Sequence, residues 1–256
     1  MSSFADDLDQ RLNEIRTQGL YRELRRVDSP QGREIDLNGK TFLNFSSNDY
    51  LGLANHSLLK EAAVTAMEKY GVGAGSSRLI CGSLAPYHEL ESALAAWKGT
   101  EAAITFSTGY ATAVGTICAL LEKDDIIILD KLVHACIVDA ARLSGAKLRV
   151  FAHNDLEDLE TILRWATEKK IGAHRILIVT ESVFSMDGDF APLPQLIALK
   201  EKYGAWLMVD EAHATGIYGK NRCGCAEDDN ISSQIEIHMG TLGKALGSSG
   251  GYICGS

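Results

Sequence analysis

From residue 103 onward, short apolar runs alternate with longer stretches whose apolar residues recur at helical spacing. This alternation limits the possible folds more than any other feature of the chain. The runs are Ala103-Ile104-Thr105-Phe106, Ile126-Ile127-Ile128-Leu129, Leu148-Arg149-Val150-Phe151, Ile176-Leu177-Ile178-Val179, Trp206-Leu207-Met208-Val209, Ile235-Glu236-Ile237-His238 and Tyr252-Ile253-Cys254. Most lack the apolar–polar alternation of a strand with one wet face, so they read as strands buried on both sides. The helix-period segments are 58–70, 86–97, 110–121, 134–143, 155–170 and 193–203. Seven strands separated mostly by helices predict a three-layer α/β fold, a mainly parallel sheet with helices on both faces.

The first forty residues read differently. Phe4, Leu8, Leu12, Ile15 and Leu20 recur at helical spacing among charges and predict an amphipathic arm over 4–26, closed by the turn Asp28-Ser29-Pro30-Gln31-Gly32. After the hairpin-type turn Asn38-Gly39 comes a strand candidate, 41–45. The expected organisation is therefore an arm over 1–40 and a large domain over 41–256. The last run ends at Gly255-Ser256 with no helix after it, so the large domain reads as C-terminally incomplete and its sheet as ending on an uncovered edge.

Charge and cysteine usage exclude several functions. The 25 Lys and Arg against 34 Asp and Glu give −9, which leaves no broad basic field for a nucleic-acid backbone. Six scattered cysteines, with Cys223-Gly-Cys225 the only close pair, lack zinc spacing and read as reduced, cytoplasmic thiols; no metal is expected. Residues 1–16 carry no secretion signal. Ala102–Leu121 is uncharged and long enough to span a bilayer, but its hydroxyls, its glycines and the flanking Glu101 and Glu122 favour a strand, a turn and a buried helix.

Ligands of open α/β sheets gather beyond the C-terminal strand ends, and polar residues follow several runs there. Asp210-Glu211-Ala212-His213 follows the fifth run, and Thr241-Leu242-Gly243-Lys244-Ala245-Leu246-Gly247 follows the sixth. Three mechanisms could use such a lysine or its surroundings. A P-loop fails, because the position five before Gly243 is His238 and Ala245 follows Lys244. Gly247-Ser248-Ser249-Gly250-Gly251 matches a hydrolase elbow in letters only, since it precedes a strand and no Asp or His comes after Ser249. The third is a Schiff-base lysine serving pyridoxal phosphate. That chemistry needs an aspartate for the pyridinium nitrogen, a Gly/Ser/Thr turn at a helix N-terminus for the phosphate, and a group over the ring face. Asp210, Ser107-Thr108-Gly109 and His134 occupy such positions, each just past a strand.

Taken together, Asn44 to Leu53, Gly73-Ala74-Gly75-Ser76-Ser77-Arg78, Phe151-Ala152-His153-Asn154-Asp155, Glu181 to Asp189, Asp210 to Gly216 and Thr241 to Ala245 resemble the α-oxoamine synthases. These are fold-type I pyridoxal-phosphate enzymes that condense an amino acid with an acyl thioester and release CO₂. Asn44 to Gly52 and Phe151 to Asp155 look most like the member that joins L-alanine to a pimeloyl thioester in biotin biosynthesis. Sister activities use glycine with acetyl-CoA, serine with palmitoyl-CoA or glycine with succinyl-CoA. A truncated protein that only binds cofactor or a partner subunit is the rival from another class.

The resemblance implies that Lys244 bonds the cofactor and acts as the base, that Asp210 pairs with the pyridinium nitrogen and that His134 covers the ring and meets substrate. It implies that His213 and Ser185 bond the ring oxygen or the substrate carboxylate region, and that Gly109, Tyr110 and Thr241 hold the phosphate. Arg22 and Asn48 would meet substrate, with Glu181 lining the same cavity. It also implies a homodimer and a cytoplasmic enzyme. Arg22 sits beside Arg25 and Arg26, where a solvated surface role competes, and Ser185 and Glu181 could instead satisfy loop backbone groups. His56, His88, His153, His174 and His238 read as structural.

Overall fold

A computed structural model of the chain describes residues 3–168 and 175–256. It divides into two units, residues 1–46 and 47–256. In the first, α1 (Phe4–Thr17) starts in a capping box, with the Asp6 amide donating to Ser3 Oγ and the Ser3 amide donating to Asp6 Oδ2. The helix ends at Thr17 rather than continuing to residue 26, because Gly19 adopts a left-handed φ of 68° and turns the chain away. Phe4, Leu8, Leu12 and Ile15 remain exposed on it. Strands β1 (Glu34–Leu37) and β2 (Lys40–Leu43) form an antiparallel hairpin whose turn residues, Asn38 and Gly39, both have positive φ. The turn was legible in the sequence; β1, which alternates charged and apolar residues over only four positions, was not.

The second unit contains α2 (Ser57–Tyr70), a π-helical turn over Arg78–Gly82, α3 (Ala85–Lys98), β3 (Ala102–Phe106), α4 (Gly109–Leu120), β4 (Ile126–Asp130), α5 (Ala135–Ser144) and β5 (Lys147–Phe151). Then follow α6 (Leu156–Glu168), β6 (Ile176–Glu181), α7 (Leu193–Tyr203), β7 (Trp206–Asp210), the short α8 (Cys225–Asp228), β8 (Ile237–Thr241) and β9 (Gly251–Gly255). Residues 169–170 of the expected sixth helix, and His174, lie outside the described residues.

Seven strands form one sheet in the order β3-β9-β8-β7-β6-β4-β5, parallel from β8 to β5. The apolar runs of β4, β6 and β7 divide by parity between two cores. Ile126, Ile128, Ile176, Ile178, Leu207 and Val209 pack with Leu159 and Leu163 of α6 and Leu196 and Ile197 of α7. Ile127, Leu129, Leu177, Val179 and Met208 pack on the other face with Ile117 of α4 and Ile137 of α5. The span 102–121 is a strand, a turn and a helix, and no helix among the described residues is long and apolar enough to cross a membrane.

Two sequence expectations are corrected here. The last strand is not an edge: β9 lies antiparallel between β3 and β8, so both of its hydrogen-bonding sides are paired. This insertion needs glycine at 251, where a Cβ would stand 2.4 Å from Thr112 Oγ1 and 3.0 Å from the Gly109 amide. Strand β8 begins two residues later than the 235–238 run. Glu236 is drawn away to accept from Lys200 Nζ and the Leu207 amide, so ladder pairing starts at Ile237 and carries on to Thr241.

Candidate active site

Because β4, β6, β7 and β8 run parallel, their C-terminal residues Asp130, Glu181, Asp210 and Thr241 share one edge of the sheet. An open cleft of about 210 Å³ lies there. It is lined by Glu181, Asp210 and Thr241 together with Gly109, Tyr110, His134, Cys136, Ala212, His213, Met239, Gly240 and Lys244.

Lys244 lies in the loop between β8 and β9, and its Nζ is 2.6 Å from His213 Nε2. His213 Nδ1 is 2.7 Å from Tyr50 Oη, which in turn donates to Asn48 Oδ1 at 3.2 Å. One proton assignment satisfies the whole series: Lys244 donates to Nε2, Nδ1–H donates to Tyr50, and Tyr50 donates to Asn48. That assignment requires a neutral imidazole. Burial and the nearby Lys244 charge push His213 down to about 4. Burial also lowers Lys244 from its ordinary value, against the pull of Asp210 and Glu181. A half-buried amine with a lowered pKa, hydrogen-bonded to a neutral base, suits nucleophilic attack on a carbonyl.

Two carboxylates face that amine. Asp210 is 5% exposed, and burial raises its pKa although Lys244 and the Ala212 amide, 2.9 Å from Oδ1, both favour the anion. Glu181 is pushed up to about 8, first by burial and then by Asp210. A second cation in the cleft would relieve this acidic pair. Glu181 Oε1 also accepts the His134 amide at 2.5 Å, at the start of α5.

The opposite wall suits an anion. Thr108 Oγ1 caps α4 by accepting the Ala111 amide at 2.9 Å, and Gly109 and Tyr110 form the first turn of the helix at the cleft. A Cβ on Gly109 would lie 4.0 Å from Met239 Cε, so the space beside its Cα is open. Thr241 Oγ1 donates to the Gly250 carbonyl at 3.0 Å and accepts the Gly243 amide at 3.1 Å, which ties the lysine loop to β8.

The structure thus gathers Gly109, Tyr110, His134, Glu181, Asp210, His213, Thr241 and Lys244 in one cleft. Asn48 joins through Tyr50. Ser185 lines a neighbouring cavity of about 340 Å³ with Tyr50, Phe184 and Tyr218, and His213 belongs to both. Arg22 lies beyond α1 in the first unit, exposed. Sequence reasoning missed Tyr50 and Cys136. Tyr50 stands two residues after Asn48, and Cys136 two after His134, so the signal was present in segments already singled out.

The histidines read as structural take varied places. His153 bridges Asp130 and Asp189 at 2.9 and 2.8 Å, His238 Nε2 donates to the Ser232 carbonyl, and His56 caps α2.

The chain is 49% identical over 245 residues to an 8-amino-7-oxononanoate synthase of Geobacter sulfurreducens, covering 96% of this chain and 62% of that protein. It is 47% identical over its whole length to one of Geotalea daltonii, covering 63% of it. A serine palmitoyltransferase variant from S. paucimobilis, solved with a bound PLP–myriocin aldimine, superposes with a TM-score of 0.88 at 32% identity, covering 98% of this chain and 62% of that one. The chain therefore spans under two thirds of the length of these relatives. The aminotransferase class I and II profile matches residues 40–256, carrying the strand-end cleft and its lysine, and the chain belongs to that family.

Proposed function

We propose that this chain is the cofactor-binding part of a pyridoxal-phosphate-dependent acyltransferase that condenses L-alanine with a pimeloyl thioester, releasing CO₂ and forming 8-amino-7-oxononanoate. The observation that carries the reading is the pairing of a half-buried lysine of lowered pKa with a buried aspartate across a cleft that opens on a helix N-terminus. Pyridoxal phosphate fits these residues: its phosphate matches the α4 N-terminus and its pyridinium N–H matches the acidic wall. Bound there, it supplies an aldehyde that condenses with amines and a ring that withdraws the electron pair released at the amino acid's Cα.

The chain's own residues do the rest. Asp210 holds a positive charge on the ring nitrogen, which only an ionised, correctly placed carboxylate can do. Lys244 Nζ would hold the aldehyde carbon of the cofactor and, when free of it, would be the group placed to accept the Cα proton of alanine. His213, braced by Tyr50 and Asn48, keeps Nε2 beside Lys244 as acceptor. Gly109, Tyr110 and Thr241 orient the phosphate, His134 covers the ring, and Ser185 bonds the substrate side. Asn48 recognises the acyl partner.

We further infer a homodimer. Leu79, 93% exposed, and Ile80, 77% exposed, lie within the π-helical turn and present an apolar surface that a second copy would cover. Six unpaired thiols fit a reducing compartment such as the cytoplasm, and the net charge of −9 argues against nucleic acid.

Borohydride reduction of the full-length protein loaded with pyridoxal phosphate, followed by peptide mapping, tests the cofactor assignment; label on any lysine other than Lys244 overturns it. Amino-acid and acyl-donor selectivity, read by product mass, tests the substrates. A preference for serine with a long-chain acyl-CoA would move the protein to a sister activity with the cofactor site unchanged.

A further inference from the structure

Cys136 lines the cleft, yet no step above uses it. Its Sγ lies 3.0 Å from His134 Nδ1, and its backbone amide lies 3.2 Å from the same nitrogen. A backbone N–H can only donate, so Nδ1 is an acceptor here and carries no proton. The thiol is a second donor to it. Burial, Asp210 and Glu181 together push Cys136 up to about 12, which keeps its S–H intact at neutral pH. The His134 amide is held separately by Glu181 Oε1, so the residue is fixed at both backbone and ring.

We propose that Cys136 is a positioning residue for His134, holding the neutral ring with its proton on Nε2 and so making His134 a hydrogen-bond donor to an oxygen of whatever occupies the cleft. With Nδ1 held by two donors, His134 could take up a proton through Nε2 only by losing that tautomer and both contacts. The proton at Cα is then left to Lys244, and His134 Nε2–H is suited to a carboxylate or carbonyl oxygen of the bound amino acid. The oxygen donor role rests on the reading of the site as a pyridoxal-phosphate cleft; the tautomer rests on the protein alone.

The test is long-range ¹H–¹⁵N correlation on the histidine-labelled, cofactor-free full-length protein at a pH where the rings are neutral, with His134 assigned by the loss of its signals in His134→Gln. The expected result is a protonated Nε2 and a bare Nδ1; a proton on Nδ1 overturns the proposal. Cys136→Val removes the S–H at similar volume and leaves the amide. With Nδ1 then held by the 3.2 Å amide contact alone, a minor Nδ1–H population should draw the averaged His134 ¹⁵N shifts towards each other, while Cys136→Ser, whose hydroxyl can donate, should return them to the parent values. An unchanged tautomer in Cys136→Val would remove Cys136 from the role. Failure of the cofactor reading would appear instead in the Lys244 mapping and leave these spectra as they are.

Discussion

Asp210 and Glu211 are adjacent in the chain and both are buried, yet their acidities move in opposite directions. Glu211 points to the side of the sheet where α3 packs. Its Oε2 accepts from Lys98 Nζ at 3.0 Å, its Oε1 accepts the Ala226 amide at 3.0 Å, and His238 Nδ1 stands 3.7 Å away. Lys98 also donates to Thr215 Oγ1 and the Cys223 carbonyl. Those partners hold Glu211 at about 2, although burial by itself would raise it. Asp210 has burial and one backbone amide, with its cation across an open cleft, and burial wins. The pair thus separates a carboxylate whose charge is matched within the fold from one whose charge awaits a ligand.

The largest effect should come from breaking the matched side. Lys98→Met leaves Glu211 buried without its ammonium and should cost about 3–5 kcal/mol, read from urea unfolding. A loss under about 1 kcal/mol would mean that His238 and the backbone donors suffice, and the contrast would collapse. Asp210→Asn should do the reverse: little loss of stability, with the rate of Cα-proton exchange of alanine in the loaded enzyme lowered about 10²–10³-fold, ~3–4 kcal/mol, by analogy with removing one preorganised charge-stabilising donor. Near wild-type exchange in that variant would remove Asp210 from the site.

A pH experiment sharpens the same contrast. Glu181, raised from 4.5 to about 8, is protonated more readily in the folded than in the unfolded state. It therefore removes stability as pH climbs between those values. Glu181→Gln should flatten that part of the stability–pH profile and gain about 1–3 kcal/mol at pH 8. Glu211, lowered from 4.5 to about 2, stabilises above 4.5 and loses that contribution as pH falls towards 2.

The smallest expected effect lies at His153. Asp130 and Asp189 raise its pKa above 6.5, against burial. Its stabilisation is present in full below 6.5 and fades as pH rises through the folded value. His153→Gln, compared with the parent by thermal melts at pH 6 and pH 9, should be the more damaging at pH 6; equal losses would mean that the imidazolium charge is not what joins Asp130 to Asp189.

Much of this was legible in the residues. All seven sheet strands, the helices between them except the short α8, and the strand-end positions of Asp210, His134 and Lys244 followed from apolar runs and the polar residues after them. The central runs are apolar because both their faces are buried, whereas β3 and β5, at the two ends of the sheet, are largely exposed or half-buried rather than buried on both sides. Periodicity placed helix ends within a residue or two. It failed at residues 18–26, where one left-handed glycine outweighed the apolar spacing, and at β8, where Glu236 is claimed by partners on α7 and β7.

The local pattern therefore determined the fold class and which loops carry chemistry, since hydrophobic period and turn residues act over a few positions. Tertiary structure alone decided the rest. It seated β9 between β3 and β8, which depends on the close approach to α4 at Gly251. It brought Tyr50 to His213 across 163 positions, and it gave Glu211 a lysine from 113 positions away while leaving Asp210 facing the cleft. A pKa or a hydrogen-bond relay is a property of what packs around a group, and sequence spacing carries no record of partners brought from so far along the chain.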